Sequence, residues 1–459
     1  MARPKRFSSL RRGLSRFTNA SKRMLRRSRS NEAEAHPTPH VHVSNGSKKR
    51  RVAITGIGAI TVLGLNLMDT WNNLVAGRSG IGPITQFDPS HLPVRIAGEV
   101  KGFDPLKYID AKEVRRMARC SHFAVAAAQE AIEQSGLRIG KDVKSDRIGV
   151  VMGTALGGYE MSETGSREYY QYGYKRVNPF ALPAALPNAP AHHISTQFGL
   201  KGPLSTVVAA CASGTQAIGD GAEMIRLGKA DAVLAGGVEA VVTETAIVAF
   251  AKMRVLSMMN DQPELAQRPF DITRDGFAYS EGCVVMMLED YERAKARGAT
   301  IYAEVLGMGV SSDAYHIAIP DPSAGGAIRA MQWALQDSGL APHHVDYINA
   351  HGSATPTNDA LETAAIKHVF GERAYDIPVT STKSMVGHAM GAAGAIEALS
   401  TVMTIKTGII PPTINLHHPD PACDLDYVPH KARHKEVVTA ISNSFGLGGQ
   451  NATIAFGKI

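Results

Sequence analysis

Cys211, His351, Lys383 and His388 are the side chains in this sequence best suited to chemistry, and the thiol and both imidazoles sit where apolar runs give way to small residues. Cys211 ends the valine-rich run VVAAC. Ala212, Ser213 and Gly214 follow it, and a helical pattern then continues through Gln216 and Ile218 to Ile225. A buried strand, a tight bend and a helix are predicted, with the thiol near the first helical turn. Unsatisfied N–H groups there favour negative charge, so the thiol is expected to move toward thiolate from its ordinary pKa of about 8.5. The competing reading is a small buried hydrophobe, the usual state of a free cysteine.

His351 follows the apolar stretch VDYIN and opens a loop crowded with hydroxyls and glycine, NAHGSATPTND. His388 lies in STKSMVGHAMGAAG, five residues after Lys383 and ahead of a long small-residue helix. With 17 histidines in the chain most must be incidental, but two at strand ends beside the Cys211 turn point to a site. A thiolate attacks an activated acyl carbon and forms a thioester. The acyl group can then pass to water, as in a cysteine hydrolase. It can also pass to a carbon nucleophile, with imidazole donors stabilising an enolate oxygen. Spacing alone leaves both routes open.

The elements that must position these groups alternate between strand and helix, which argues for α/β layers. RVAITGIGAIT reads as a first strand, with a helix around Asp69 to Ala76 and another over Ala118 to Gln134. RIGVVMGTALGG, ADAVLAGGVEA and GCVVMMLED are further strands, and a second series begins at YAEVLGMGVSSDA. A division near residue 298 gives an N-terminal half over 51–298 and a C-terminal half over 299–459, behind a basic extension over 1–50. The glycine-rich bends GTALGG and GLGGQN lack the context of a dinucleotide site, and there is no Walker A sequence.

Composition narrows the function classes. An apolar fraction of 44% with 44 glycines suits a globular α/β protein, and no run approaches the length of a membrane span. Cys120, Cys211, Cys283 and Cys423 show neither metal-ligand nor disulfide spacing, as in a reducing compartment. The net charge of +7 is uneven: residues 1–51 hold 15 Lys and Arg against Glu32 and Glu34, and the remainder holds 34 basic against 40 acidic side chains. A nucleic-acid reading would rest on the tail alone. Phe7, Leu10, Leu14 and Phe17 in that tail share a helical spacing, which fits a mitochondrial or plastid transit peptide or a basic arm. The cytoplasm is the expected compartment.

From Arg50 to Ile459 the motifs RVAITGIG, ACASG, RPFDITRDGF, SSDAYH, NAHGSATPTND, STKSMVGHAMGAAG, PPTINL, CDLDYVP and NSFGLGGQN occur in order. In these the sequence resembles the β-ketoacyl-[acyl-carrier-protein] synthases of the elongating type II kind, members of the thiolase-like group. The resemblance implies a thiolase-like α/β fold, two similar halves in α-β-α-β-α layers. It implies that Cys211 takes the acyl chain from acyl carrier protein, with an oxyanion hole formed by its own N–H and that of Phe445. His351 and His388 would assist decarboxylation of malonyl carrier protein, and Lys383 would hold the histidine region electrostatically. Ser353 and Thr355 match phosphopantetheine contacts, and Phe445 a gate between the acyl and malonyl sides. Leu156 and Phe250 match acyl-pocket positions. Glu397 matches a structural acid, near a cation site in some relatives. Lys112, Arg115, Arg116 and Arg254 would form a basic rim for the acidic carrier protein, ordinary solvated charge being the alternative. No cofactor and no catalytic metal are implied, and a homodimer is expected.

The sequence departs from the family pattern at three places. Ala354 replaces a hydroxyl in HGSAT, Val386 stands where threonine is common before the second histidine, and Cys283 where alanine is frequent. A stand-alone polyketide ketosynthase would use the same chemistry. A non-catalytic chain-length factor lacks the nucleophile, which Cys211 supplies here.

Overall fold

Ten strands form one mixed sheet in the computed structural model, which describes residues 49–459. In chain order they are β1 (Val52–Thr61), β2 (Ile148–Gly153), β3 (Leu204–Val207), β4 (Ala232–Glu239), β5 (Gly282–Asp290), β6 (Ala303–Ser312), β7 (Tyr347–Asn349), β8 (Val379–Thr380), β9 (Thr439–Gly446) and β10 (Gln450–Gly457). Their order across the sheet is β8-β7-β9-β10-β6-β1-β5-β4-β2-β3. The basic segment over 1–48, with the transit-peptide reading placed on it, lies outside the described residues.

The sheet is two five-stranded halves with the same pattern. In the first, β1 pairs antiparallel with β5 and β5 with β4, while β4–β2 and β2–β3 are parallel. In the second, β6 pairs antiparallel with β10 and β10 with β9, while β9–β7 and β7–β8 are parallel. Only the pairs Val52↔Val305, Ala53↔Glu304 and Ile54↔Ala303 join them. Every residue of β1, β2, β4 and β5 is buried, which is why these strands read as continuous apolar runs rather than alternating ones.

Helices cover both outer faces and fill the space between. Helix α1 (Arg119–Ser135) packs on β1 and β5, and α2 (Ala189–Phe198) packs on α1. On the other side α5 (Gly325–Ser338) packs on β6 and β10, against α6 (Asn358–Phe370). Between the half-sheets lie α3 (Ser213–Arg226) and α7 (Ala393–Thr407), the latter buried from Ala393 through Ile405. A further helix, α4 (Glu244–Lys252), follows β4. The central pair approaches so closely that a Cβ at Gly394 would lie 2.1 Å from Thr215 Oγ1. The small-residue run after His388 is thus a packing requirement. No helix among the described residues is long and apolar enough to cross a membrane.

Two expectations change in detail. The strand expected to run into Cys211 stops at Val207, and it is an edge strand with Leu204 exposed rather than a buried one. Lys49, Arg50 and Arg51 are bonded to Asp337, Asp231 and Glu304 respectively, so the basic run enters the body before β1 begins.

Candidate active site

The repeated topology places the key groups in related positions. After β3 the chain makes a single 3-10 turn, Ala210–Ala212, and enters α3; after β8 it makes another, Met390–Ala392, and enters α7. Ala210 and Met390 both hold left-handed backbone, at φ 48° and 43°, a strained conformation for a residue with a Cβ. Cys211 lies in the first turn, and His388 lies two residues before Met390 in the second. His351 opens the loop after β7. Ser213 braces the Cys211 turn: its hydroxyl lies 2.7 Å from Ala210 O and accepts from the Ala209 N–H at 2.8 Å.

Three segments remote in sequence therefore converge. The Cys211 thiol and one ring nitrogen of each histidine lie within 4.8 Å of one another. The imidazole centroids are 5.4 Å apart, and the Phe445 ring is 5.8 Å from His351. All three side chains line a cavity of about 380 Å³, with Ser353, Thr355 and Arg254.

The neighbours settle the histidine tautomers. Lys383 Nζ donates to His351 O at 2.7 Å and sits 3.2 Å from its Nδ1. An ammonium has no lone pair to offer, so Nδ1 accepts and Nε2 carries the proton. The Met390 N–H donates to His388 Nδ1 at 3.2 Å, which fixes the same tautomer there. Burial, reinforced by Lys383, holds both imidazoles well below their ordinary pKa, so both are neutral N–H donors.

Buried acids hold this arrangement. Lys383 is fully buried and ion-paired to Glu397, whose other oxygen accepts from Ser444 at 3.3 Å. Glu362 accepts the N–H groups of His351 and Gly352, each at 2.8 Å, and so orients the start of the histidine loop. Burial pushes Glu362 and Glu397 up to about 7, against their hydrogen bonds and, for Glu397, against Lys383. Glu362 was missed in the sequence; its signal is a charged residue on the buried face of α6, eleven positions after His351.

The thiol behaves differently from the expectation. Burial pushes Cys211 up to about 11, outweighing the Lys383 charge and the nearby Leu447 backbone, which both favour the thiolate. Desolvation exceeds the pull of the helix start. Leu447 stands two residues beyond Phe445 on the same loop, and both line the cavity with Cys211. The loop comes this close because residue 446 is glycine, where a Cβ would lie 2.9 Å from Ala209 O and 3.2 Å from Cys211 N.

The remaining expected residues divide. Ser353 and Thr355 hydroxyls lie 3.1 Å apart on the cavity wall. Phe250 belongs to the apolar cluster that contains Cys211, packing on Phe277 and Tyr279. Leu156 lies outside that cluster, on the loop after β2. Arg254 reaches the cavity, whereas Lys112 and Arg115 are exposed on a separate short helix, Ala111–Val114, and its flank. Arg116 is engaged locally, paired with Glu113 at 2.8 Å and lying over the Phe180 ring. Ala354 is buried in left-handed backbone at φ 66°, Val386 is buried, and Cys283 is buried within β5. None of the three departures lines the cavity.

Chemically, the site offers one nucleophilic sulfur and two neutral N–H donors on the wall of one cavity. A thiophilic cation could use the same three donors, but the Lys383 ammonium beside His351 sets a positive charge against it.

Comparison with known proteins gives a single pattern. The Beta-ketoacyl synthase N-terminal domain matches residues 49–294 and its C-terminal domain residues 302–417. The 3-oxoacyl-[acyl-carrier-protein] synthase 2 of Synechocystis is 49% identical over 411 residues, 90% of this chain and 99% of that protein. A beta-ketoacyl synthase structure from Burkholderia phymatum has a TM-score of 0.83 at 37% identity, covering 89% of this chain and all of that one. A type II polyketide ketosynthase solved with its acyl-carrier protein has a TM-score of 0.83 at 32% identity, covering 90% of this chain and all of that one.

Proposed function

Because the chain belongs to the beta-ketoacyl synthase family, we propose that it condenses acyl carrier protein-bound acyl chains with malonyl carrier protein, releasing carbon dioxide and a 3-oxoacyl carrier protein in fatty acid elongation. The observation that carries this is the meeting of Cys211, His351 and His388 within 4.8 Å on the wall of one cavity. A hydrolase needs a base for water, whereas both imidazoles here present N–H groups, which suit an enolate oxygen.

The reaction proceeds in two stages. Cys211 attacks the acyl thioester, a new C–S bond forms as the old one breaks, and the thiol proton leaves on the departing carrier thiol. This exchange is neutral in protons, so a resting thiol with a raised pKa is compatible with it. Malonyl carrier protein then enters, its carboxylate leaves as carbon dioxide, and the His351 and His388 N–H groups hold the enolate oxygen. The enolate carbon attacks the Cys211 thioester. The N–H groups of Cys211 and Phe445 stabilise the tetrahedral oxyanion, and its collapse releases the Cys211 thiolate, which takes a proton from solvent. Two substrates using one sulfur in turn give ping-pong kinetics.

Acyl carrier protein is the partner, engaged through the phosphopantetheine arm at Ser353 and Thr355 and through basic side chains at the cavity mouth. The polyketide relative solved with its carrier protein supports that class of partner. No cofactor and no metal enter the steps. The enzyme works as a homodimer in the cytoplasm; exposed Leu204 and Val208 at the sheet edge support self-association. A polyketide role uses the same steps, but the fatty acid reading rests on the much higher identity to the Synechocystis enzyme.

The test is intact-mass measurement on purified protein given a straight-chain acyl carrier protein and then malonyl carrier protein. An acyl adduct on Cys211, followed by a product two carbons longer, is expected. No adduct with any straight-chain acyl group would overturn the elongation reading, and a monomer by light scattering at micromolar concentration would overturn the dimer.

A further inference from the structure

Glu239 ends β4 and is fully buried, yet no step of the condensation uses it. Its carboxylate is saturated by two segments of the site. Oε2 accepts the N–H of Ala155 at 2.7 Å and that of Gly391 at 3.1 Å. Oε1 accepts the N–H of Leu156 and the hydroxyl of Thr154, each at 3.2 Å. Ala155 and Leu156 belong to the loop after β2, and Gly391 lies three residues beyond His388. Thr154 extends the connection to the nucleophile: its carbonyl is 3.2 Å from the Ser213 hydroxyl that braces the Cys211 turn.

The backbones themselves leave no slack. A Cβ at Gly391 would lie 2.3 Å from Ala155 N, and one at Gly237 would lie 2.6 Å from Gly391 O and 2.9 Å from Gly214 Cα. The loop after β2 is the topological counterpart of the His351 loop after β7. Glu362 clamps the latter through two consecutive N–H groups; Glu239 clamps the former in the same way.

We propose that Glu239 is a positioning residue that holds the Leu156 loop, the Cys211 turn and the His388 turn in one register, and that its bond to Leu156 governs acyl transfer to Cys211. This rests on the condensing reading above.

The two carboxylate oxygens make separable predictions. In Glu239→Gln the single amide oxygen is best used toward Ala155 and Gly391, which only donate. The NH2 then faces the Thr154 hydroxyl, which can rotate to accept, and the Leu156 N–H, which cannot. The tie to the His388 turn survives and the tie to Leu156 is lost. Two half-reactions are measured on the full-length enzyme: acyl adduct formation on Cys211, and carbon dioxide release from malonyl carrier protein alone. Acyl transfer should fall about ten-fold further than decarboxylation, with a changed chain-length profile. Thr154→Val, which removes the hydroxyl on the same side of the carboxylate, should shift the balance in the same direction and serves if the glutamine variant does not fold. A merely structural role predicts that both half-reactions fall together. That result, or no change in either, overturns the role of Glu239 while leaving the condensing activity intact. A wild-type enzyme that accepts no acyl group removes the activity and this inference together.

Discussion

Lys383 Nζ lies 2.7 Å from the carbonyl oxygen of His351 and 3.2 Å from its Nδ1, so one buried ammonium fixes both the backbone and the tautomer of the His351 imidazole. Lys383→Met should free that ring to turn its lone pair toward the cavity and lower decarboxylation by about 10²-fold, the usual cost of a lost oxyanion donor. It also strands Glu397 in the core, at a cost of about 3–5 kcal/mol. Lys383→Met with Glu397→Leu should regain stability in urea unfolding without regaining carbon dioxide release. Recovery of both together would show that Lys383 acts only through packing.

Cys211→Ala should leave the unfolding midpoint nearly unchanged, because only one sulfur atom leaves a small site. Condensation should disappear. Cys211→Gln resembles the acylated side chain in size and should keep releasing carbon dioxide from malonyl carrier protein. A dead Gln variant would count against the donor roles of His351 and His388.

The expected oxyanion donor at Phe445 can be separated from the ring it carries beside His351. Phe445→Pro removes the backbone N–H and should reduce acyl transfer by about 10²–10³-fold, whereas Phe445→Ala loses the ring but keeps the N–H and should keep more of the rate. Pre-steady-state adduct formation would distinguish them; equal losses for the two variants would reject a backbone donor at Phe445.

Glu160 gives a stability test away from the reacting atoms. It accepts the Arg119 N–H at 2.9 Å through Oε1, while Oε2 is buried without a partner among the described residues. Burial raises its pKa from 4.5 to about 7. An acid raised in the folded state holds its proton after the unfolded chain has released it. Its contribution is therefore lost as pH climbs from about 4.5 to about 7 and is level beyond. The loss is on the order of 3 kcal/mol. Urea unfolding at both ends of that window should show a smaller fall for Glu160→Gln than for wild type; parallel curves would reject the shift.

The readable parts of the fold are those with local causes. The continuous apolar runs of β1, β4 and β5 identify buried strands, and the alanine-rich stretch over 118–134 corresponds closely to α1 at Arg119–Ser135. The short edge strand β3 reads less well, because valine continues past Val207 while the partner strand β2 ends at Gly153, opposite it. The matching strand order of the two halves has no sequence signature at all, since pairing partners are set by which faces must be covered.

Cys211, His351, Lys383 and His388 are determined by the sequence itself: each reactive type lies at a strand end or in a small-residue bend, and the order of motifs states the family. The tertiary structure decides their protonation and their partners. Cys211 looks activated by its local turn, but it is the surrounding apolar cluster, drawn from segments between Ile81 and Met390, that desolvates the thiol and raises its pKa. The loop carrying Phe445 and Leu447 seats against Ala209 and Cys211 because residue 446 is glycine. Glu239 and Glu362 acquire their roles only where distant N–H groups converge on a buried carboxylate. Desolvation and hydrogen-bond saturation sum over all neighbours in space, and a sequence displays only the neighbours along the chain.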